Sequence, residues 1–204
     1  MTDANHPVTD LVILAGGQAR RMQGLNKLLQ CFDKQIQLLK ISQHFRGKTQ
    51  QQWISSNRDH RIYQHMVPNI RSFQDDATGF LGPLIGMKSA WRHVSADYVL
   101  FVPCDVTYLP KSVLKKLHQS LQQHPEAEVA YVEINGAALY PFCLLKRSSL
   151  PTLSAQIEQG ELSLKKCFKL MHAQAVKFRK HALIFHSINS FDELQQYKQL
   201  NVLI

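Results

Sequence analysis

Residues 11–27 read LVILAGGQARRMQGLNK. The five apolar residues that open the stretch are too few for a helix and stop at a glycine pair. They predict a strand buried on both faces. Gly16 and Gly17 follow, and then Arg20, Arg21 and Lys27. Adjacent glycines let backbone N–H groups approach an anion with no Cβ in the way. The cations beyond them can neutralise phosphate oxygens. The stretch is neither a Walker loop, since GxxxxGK[ST] is absent, nor GxGxxG. Taken alone, it also describes a Gly-Gly turn followed by solvated cations.

Working outward, further strands are predicted at QWISS (52–56), YVLFVP (98–103), AEVAYVEI (127–134) and ALYPFCLLK (138–146). Helical periodicity marks residues 28–45, 85–94, 111–124 and 149–159. SINSFDELQQY (187–197) opens a further helix with a capping box, Ser190 as N-cap and Glu193 three residues on. Strands alternating with helices predict an α/β fold: a three-layer, mostly parallel, Rossmann-like sheet with helices on both faces. No repeat or linker interrupts the chain, which predicts a single domain over 1–204.

Composition narrows the function. With 45% hydrophobic and 19% charged residues the chain reads as an ordinary globular protein. No apolar run approaches the length of a membrane span, and the polar N-terminus is unlike a signal peptide, so a cytoplasmic location is expected. Four cysteines form no CxxC pair and are expected to be reduced; ten histidines show no HExxH spacing. The net charge of +9 calls for an anionic partner. Basic residues are dispersed and not interleaved with aromatics, so nucleic acid is not expected to be that partner.

In parallel α/β sheets ligands bind at the carboxyl ends of the strands, so the residues just past each strand carry the argument. Asp105, in VPCDVTYLP, stands where one carboxylate can hold magnesium together with phosphate oxygens. Asp75 and Asp76 precede the glycine-rich GFLGPLIG, a backbone wall on which a planar base could lie. A carboxylate there can accept the N1–H and N2–H donors of guanine as a fork. QWISS ends on another polar pair, Asn57 and Arg58. Each acid alone equally describes a turn or a cap. Together they suggest nucleotidyl transfer, in which a substrate oxyanion attacks the α-phosphate of a nucleoside triphosphate and the cations stabilise the departing pyrophosphate.

The sequence resembles the molybdenum cofactor guanylyltransferase family, a branch of the nucleotidyltransferase-like α/β folds, from about residue 10 to 198. LAGGQARRMQGLNK resembles the family's LAGGxxxRMGGxDK, and SSNRDH its strand-end Asn-Arg. QDDATGFLGPLIGM resembles its acid-then-GPLxG segment, VPCDVTYLP its PCDxPxLP, and SINSFDEL its closing NxNTPEDL. The resemblance implies a magnesium-dependent cytosolic enzyme that joins GMP from GTP to molybdopterin and releases pyrophosphate. It implies a nucleotide-binding part at about 10–110, an acceptor part at about 111–204, and transient contacts with other proteins of molybdenum cofactor biosynthesis. Carried over by position, the nucleotide contacts fall on Leu14, Ala15, Gly16, Gly17, Lys27, Asn57, Asp75 and Asp105. Asp105 is also the implied magnesium ligand, and Arg21, Lys27 and Asp105 the implied catalytic set. Asn189 and Lys165 fall on the acceptor side.

The chain departs from the family pattern at several positions. Gln23 replaces a loop glycine, Asn26 the Asp before the lysine, Thr107 the proline of PCDxP, Ser187 the first closing Asn and Phe191 the closing proline. Leu162, in GELSLKK, stands where a cation is common, with Lys165 and Lys166 nearby. An Asp at 26 would orient Lys27 by a charge-assisted hydrogen bond, so Asn26→Asp is expected to raise the transfer rate. Alternatives at this stage are another nucleotidyltransferase of the same fold, such as one transferring CMP to molybdopterin, and a catalytically impaired nucleotide-binding protein.

Overall fold

The structure, a computed structural model, describes residues 6–17, 22–76 and 82–202. Its centre is β1 (Thr9–Leu14), in which every residue is buried. Parallel strands flank it on both sides: β4 (Gln52–Ser55), with Leu14 opposite Ser55, and β6 (Tyr98–Pro103), with Leu14 opposite Pro103. β5 (Arg71–Phe73) extends the sheet beyond β4, again in parallel. On the other side β8 (Ala137–Lys146) runs antiparallel to both β6 and β7 (Val129–Ile134), and β9 (Gln174–Phe178) lies parallel to β7 at the edge. The order is β5-β4-β1-β6-β8-β7-β9, and β8 alone runs against the rest. Asn135 and Gly136, at φ 50° and 86°, close the β7–β8 turn. That is the left-handed pair a two-residue hairpin requires.

A strand covered on both faces needs apolar residues at every position, and β1 and β6 meet this demand. Leu11, Ile13, Leu100 and Val102 pack with α1 (Gln37–Phe45), α2 (His60–Met66) and α4 (Val113–Gln123), through Leu38, Ile41, Tyr63, Leu117 and their neighbours. Val12, Leu14, Val99 and Phe101 face the other way, onto α3 (Pro83–Ala90), α5 (Leu150–Glu158) and α6 (Leu164–Leu170). Two helical layers thus sandwich the sheet, as the sequence predicts. At roughly 1.5–3 kcal/mol for each fully buried large side chain, these two layers supply most of the stabilisation. A small third cluster of Met22, Phe32, Ile188 and Leu194 anchors α7 (Phe191–Val202) beside the loop after β1.

The helix expected from residue 28 is corrected. Lys27–Leu29 form a single 3-10 turn, and β2 (Cys31–Phe32) and β3 (Gln35–Ile36) a short hairpin; α1 begins only at Gln37. Asp33 and Lys34 take φ 52° and 63°, which breaks any helix there. α2, α6, β5 and β9 are additions that the sequence reading did not name. At α7, Ser190 Oγ accepts the Glu193 N–H at 3.1 Å, whereas Glu193 Oε2 reaches the N–H of Asn189, at 2.6 Å. The capping box forms with its second arm one residue early.

Candidate active site

The strand order reverses at β1, with β4 on one side and β6 on the other, so chain ends diverge there and open a crevice. A cleft of about 780 Å³ occupies it. Leu14 at the end of β1, Ala15, Gly16 and Gly17 just past it, and Cys104 and Asp105 past β6 line the cleft. Lys27, Arg58, Gly82, Pro83, Ser187 and Asn189 are among the residues of its walls.

Across the cleft Lys27 Nζ lies 3.1 Å from Asp105 Oδ2, with the two side chains 15% and 20% exposed. This is an ion pair half-screened from water and aimed at an open space, where an incoming anion can compete for the ammonium. Asp105 Oδ1 accepts no hydrogen bond among the described residues. Cys104 beside it is no nucleophile: burial, then the charge of Asp105, pushes its thiol up to about 12.

Asp75 sits behind the glycine loop, outside the cleft lining. Ser55 Oγ donates to its Oδ1 at 2.7 Å, while Oδ2 accepts no hydrogen bond among the described residues. Burial, opposed by that hydrogen bond, raises its carboxyl above the usual range. The fit depends on glycine at two places. A Cβ on Gly16 would stand 2.9 Å from Asp75 Oδ2, and one on Gly86 would stand 3.0 Å from Ser55 Oγ and 3.2 Å from Asp75 Oδ1. Gly82, at φ 93° and ψ 179°, turns the chain into α3 with Pro83 as its first residue. Only glycine populates that region routinely.

Asn26 corrects the expectation that residue 26 orients Lys27. Its Oδ1 accepts the Leu28 N–H at 3.0 Å and so caps the turn carrying Lys27. Its Nδ2 donates to Asp59 Oδ2 at 2.6 Å and to Tyr63 Oη at 2.7 Å. The side chain bonds nothing on Lys27. Arg58 adds a second tie, donating from Nη1 to the Gly24 carbonyl at 2.8 Å. The sequence marks Arg58 as strand-end polar, but its hold on the loop depends on partners more than thirty positions away.

Of the acceptor-side residues, Asn189 depends on one seam. The segment around Ser187 is stitched to the end of β6: the Ile188 N–H donates to the Asp105 carbonyl and the Thr107 N–H to the His186 carbonyl. Thr107 Oγ1 donates to the Phe185 and His186 carbonyls. Asn189 Nδ2 donates to Ser187 Oγ at 2.9 Å, so both face the cleft close to Asp105. Asn57 is exposed past β4, and Lys165 is exposed on α6; neither lines the cleft. Arg20 and Arg21 lie outside the described residues.

Residues 11–177 match the family of MobA-like NTP transferase domains. A molybdenum cofactor guanylyltransferase of Acinetobacter baumannii is 65% identical over 195 residues, 96% of this chain and 93% of the relative. The chain belongs to the molybdenum cofactor guanylyltransferase family. A second guanylyltransferase, from Pasteurella multocida, is 37% identical over 90% of this chain and 96% of its own length. Among solved structures, the molybdopterin-guanine dinucleotide biosynthesis protein A of Archaeoglobus fulgidus shares the fold. It has a TM-score of 0.68 at 16% identity, covering 96% of this chain and 100% of that one. As a member of the guanylyltransferase family the chain is a nucleotidyltransferase. No helix among the described residues is long and apolar enough to cross a membrane.

The residues at the cleft fit a single hard divalent cation such as magnesium. Among the described residues no three His, Cys, Asp or Glu side chains converge on a metal site. Asp105, whose Oδ1 accepts no hydrogen bond among the described residues, suits an ion that takes one or two carboxylates and completes its shell with phosphate oxygens and water.

Proposed function

We propose that this chain transfers the GMP unit of GTP to molybdopterin and releases pyrophosphate. The observation that carries this reading is the Lys27–Asp105 pair facing the Gly16–Gly17 loop across the cleft, with Asn189 close beside Asp105. The loop N–H groups receive phosphate oxygens, and Lys27 leaves Asp105 for the triphosphate as it binds. Arg21, from its place in the sequence, joins Lys27 on the phosphates. Asp105 would hold magnesium, which when bound supplies positive charge to the phosphate oxygens. An oxygen of the molybdopterin phosphate attacks the α-phosphorus, and the bond to the bridging oxygen of the leaving pyrophosphate breaks.

Asp75 is proposed as the guanine acceptor, because its half-buried Oδ2 has no donor of its own among the described residues. Leu14, Ala15 and Asn57 are proposed as the remaining nucleotide contacts, and Asn189 and Lys165 as the acceptor side. On this reading residues 10–110 form the nucleotide-binding part of a single domain and 111–204 the acceptor part. The setting is the cytoplasm, with transient contacts to other proteins of the same biosynthesis.

Transfer from labelled GTP and CTP to molybdopterin, with and without magnesium, tests the proposal. Product from GTP alone, abolished by Asp105→Ala in a protein that still folds, is expected. Product from CTP instead would move the chain to cytidylyl transfer. Asp75→Asn should weaken GTP more than CTP or ATP, since a donor pair then loses one acceptor at a cost of about 1–3 kcal/mol. An equal loss for every nucleotide would remove Asp75 from base reading.

A further inference from the structure

We infer that Asn26 and Asp59 act as one positioning pair for the Lys27 turn, with a single carboxylate shared between the two positions and carried here by Asp59. This rests on the reading of the cleft as a nucleotidyl-transfer site. Both amide hydrogens of Asn26 are used, on Asp59 and Tyr63, and its oxygen takes the Leu28 N–H. The turn it caps begins at Lys27, whose ammonium meets Asp105. Asn26 therefore acts on Lys27 through the backbone.

Asp59 holds an unusual position. It is the N-cap of α2, where a carboxylate ordinarily accepts the first free N–H groups of the helix, yet its side chain makes no capping bond. It takes φ 62° and ψ 19°, a left-handed conformation that an L-residue adopts at a cost. The capping bond is given up and the strained backbone kept, and the carboxylate is spent on Asn26 at 2.6 Å. Among the described residues the charged groups around the pair are few. Arg58 Nε lies 3.7 Å from Asp59 Oδ2, and Lys27 is engaged by Asp105. Tyr63 is kept protonated by burial, and His60 is turned to Ser72 Oγ at 2.6 Å. An Asp at residue 26, as in the family's DK pattern, would point a second carboxylate at Asp59. At that distance the two would share one proton.

The pair makes an exchange prediction. Asn26→Asp should lower kcat/KM for transfer tenfold or more at pH 8, and regain much of it at pH 6, where the two carboxyl groups can hold a proton between them. Asp59→Asn should cost only a few-fold, because an amide oxygen still accepts from Asn26. The exchange variant, Asn26→Asp with Asp59→Asn, restores one carboxylate and one amide in reversed order. It should return to within about threefold of wild type and lose the pH dependence. Melting temperatures of the four proteins without substrate read the pair independently of catalysis. Rescue of stability by the exchange, in a protein whose wild type transfers no GMP, would overturn the functional reading and leave the pair standing. An exchange variant no better than Asn26→Asp in either measurement, or full activity of Asn26→Asp at pH 8, would overturn the inference.

Discussion

Replacing Gly16 by alanine adds one methyl group behind the anion loop, and the structure says what it meets. The new Cβ would stand 2.9 Å from Asp75 Oδ2, so one partner must move about half an ångström to reach ordinary van der Waals contact. The backbone of Gly16 is not left-handed, so alanine adds no strain of its own. Asp75 cannot swing away freely. Its Oδ1 is held by Ser55 at 2.7 Å and is within 3.2 Å of where a Cβ on Gly86 would lie. The displacement therefore weakens a charge-assisted hydrogen bond or strains the loop, and either costs about 1–3 kcal/mol. For a chain of this size that is a drop of roughly 3–10 °C in melting temperature. Gly17→Ala is the control: nothing lies within 4 Å of its Cβ, and the apo protein should melt within a degree or two of wild type. Both substitutions should weaken GTP binding, because both residues line the cleft. Scanning calorimetry of the two variants and of Gly16→Ala with Asp75→Ala settles the matter. The double variant should recover part of the loss. A Gly16→Ala protein as stable as Gly17→Ala, or one unaffected by shortening Asp75, would refute this placement of the carboxylate.

Gly82→Ala should cost about 1–3 kcal/mol by equilibrium denaturation, because φ 93° with ψ 179° strains any side chain although no atom lies within 4 Å of the new Cβ. Burial, then the nearby His6, lowers the His118 imidazole to about 4. A folded-state value below the ordinary 6.5 gives stability present above pH 6.5 and lost as pH falls toward 4. His118→Gln should flatten the stability profile in that window. Thr107→Val removes a hydroxyl donor from two carbonyls of the closing segment and should cost about 1 kcal/mol. It should also raise KM for the acceptor more than for GTP, measured by varying each in turn.

The parts of this fold that the sequence reveals are those where one residue's environment is fixed by its chain neighbours. LVILA must be a two-faced strand because it is short and continuously apolar, and β1 is buried on both sides. The polar residues just past β1, β4, β5 and β6 share one edge of the sheet because those strands are parallel. The hairpin before α1 was hidden because Leu28, Phe32 and Ile36 fall at helical spacing. Its turn residues, Asp33 and Lys34, take positive φ without the glycine that would announce it. β9, at the sheet edge, buries only Phe178 and carries too little apolar signal to stand out. Asn26 could not be read correctly at all. Its partners Asp59 and Tyr63 arrive from the far side of β4, 33 and 37 positions on, so a rule built on the adjacent lysine chose the wrong neighbour.

The same distinction bears on the positions where the chain leaves its family's pattern. A decaying site would leave such positions with unused chemistry, and here two of them, Thr107 and Asn26, use a group their counterparts lack. Thr107 stands for a proline, which has neither N–H nor hydroxyl, and both of these groups pin the segment that carries Asn189. Ser187 stands for an asparagine, and its hydroxyl oxygen accepts Asn189 Nδ2 at 2.9 Å, fixing the amide beside the cleft. Asn26 supplies two hydrogens that an aspartate does not have, and both are bonded. Gln23, Leu162 and Phe191 stand apart; Gln23 keeps a left-handed φ of 52° at a glycine position, and nothing in the structure explains it. Two replacements that gain donors, and a third that keeps an acceptor, at the seam between the anion loop, β6 and the closing segment point to a site held in shape by a different set of bonds. A relic of the nucleotide site would hold the loop that grips phosphate while releasing the segment that faces the acceptor. Thr107 and Ser187 hold that segment in place.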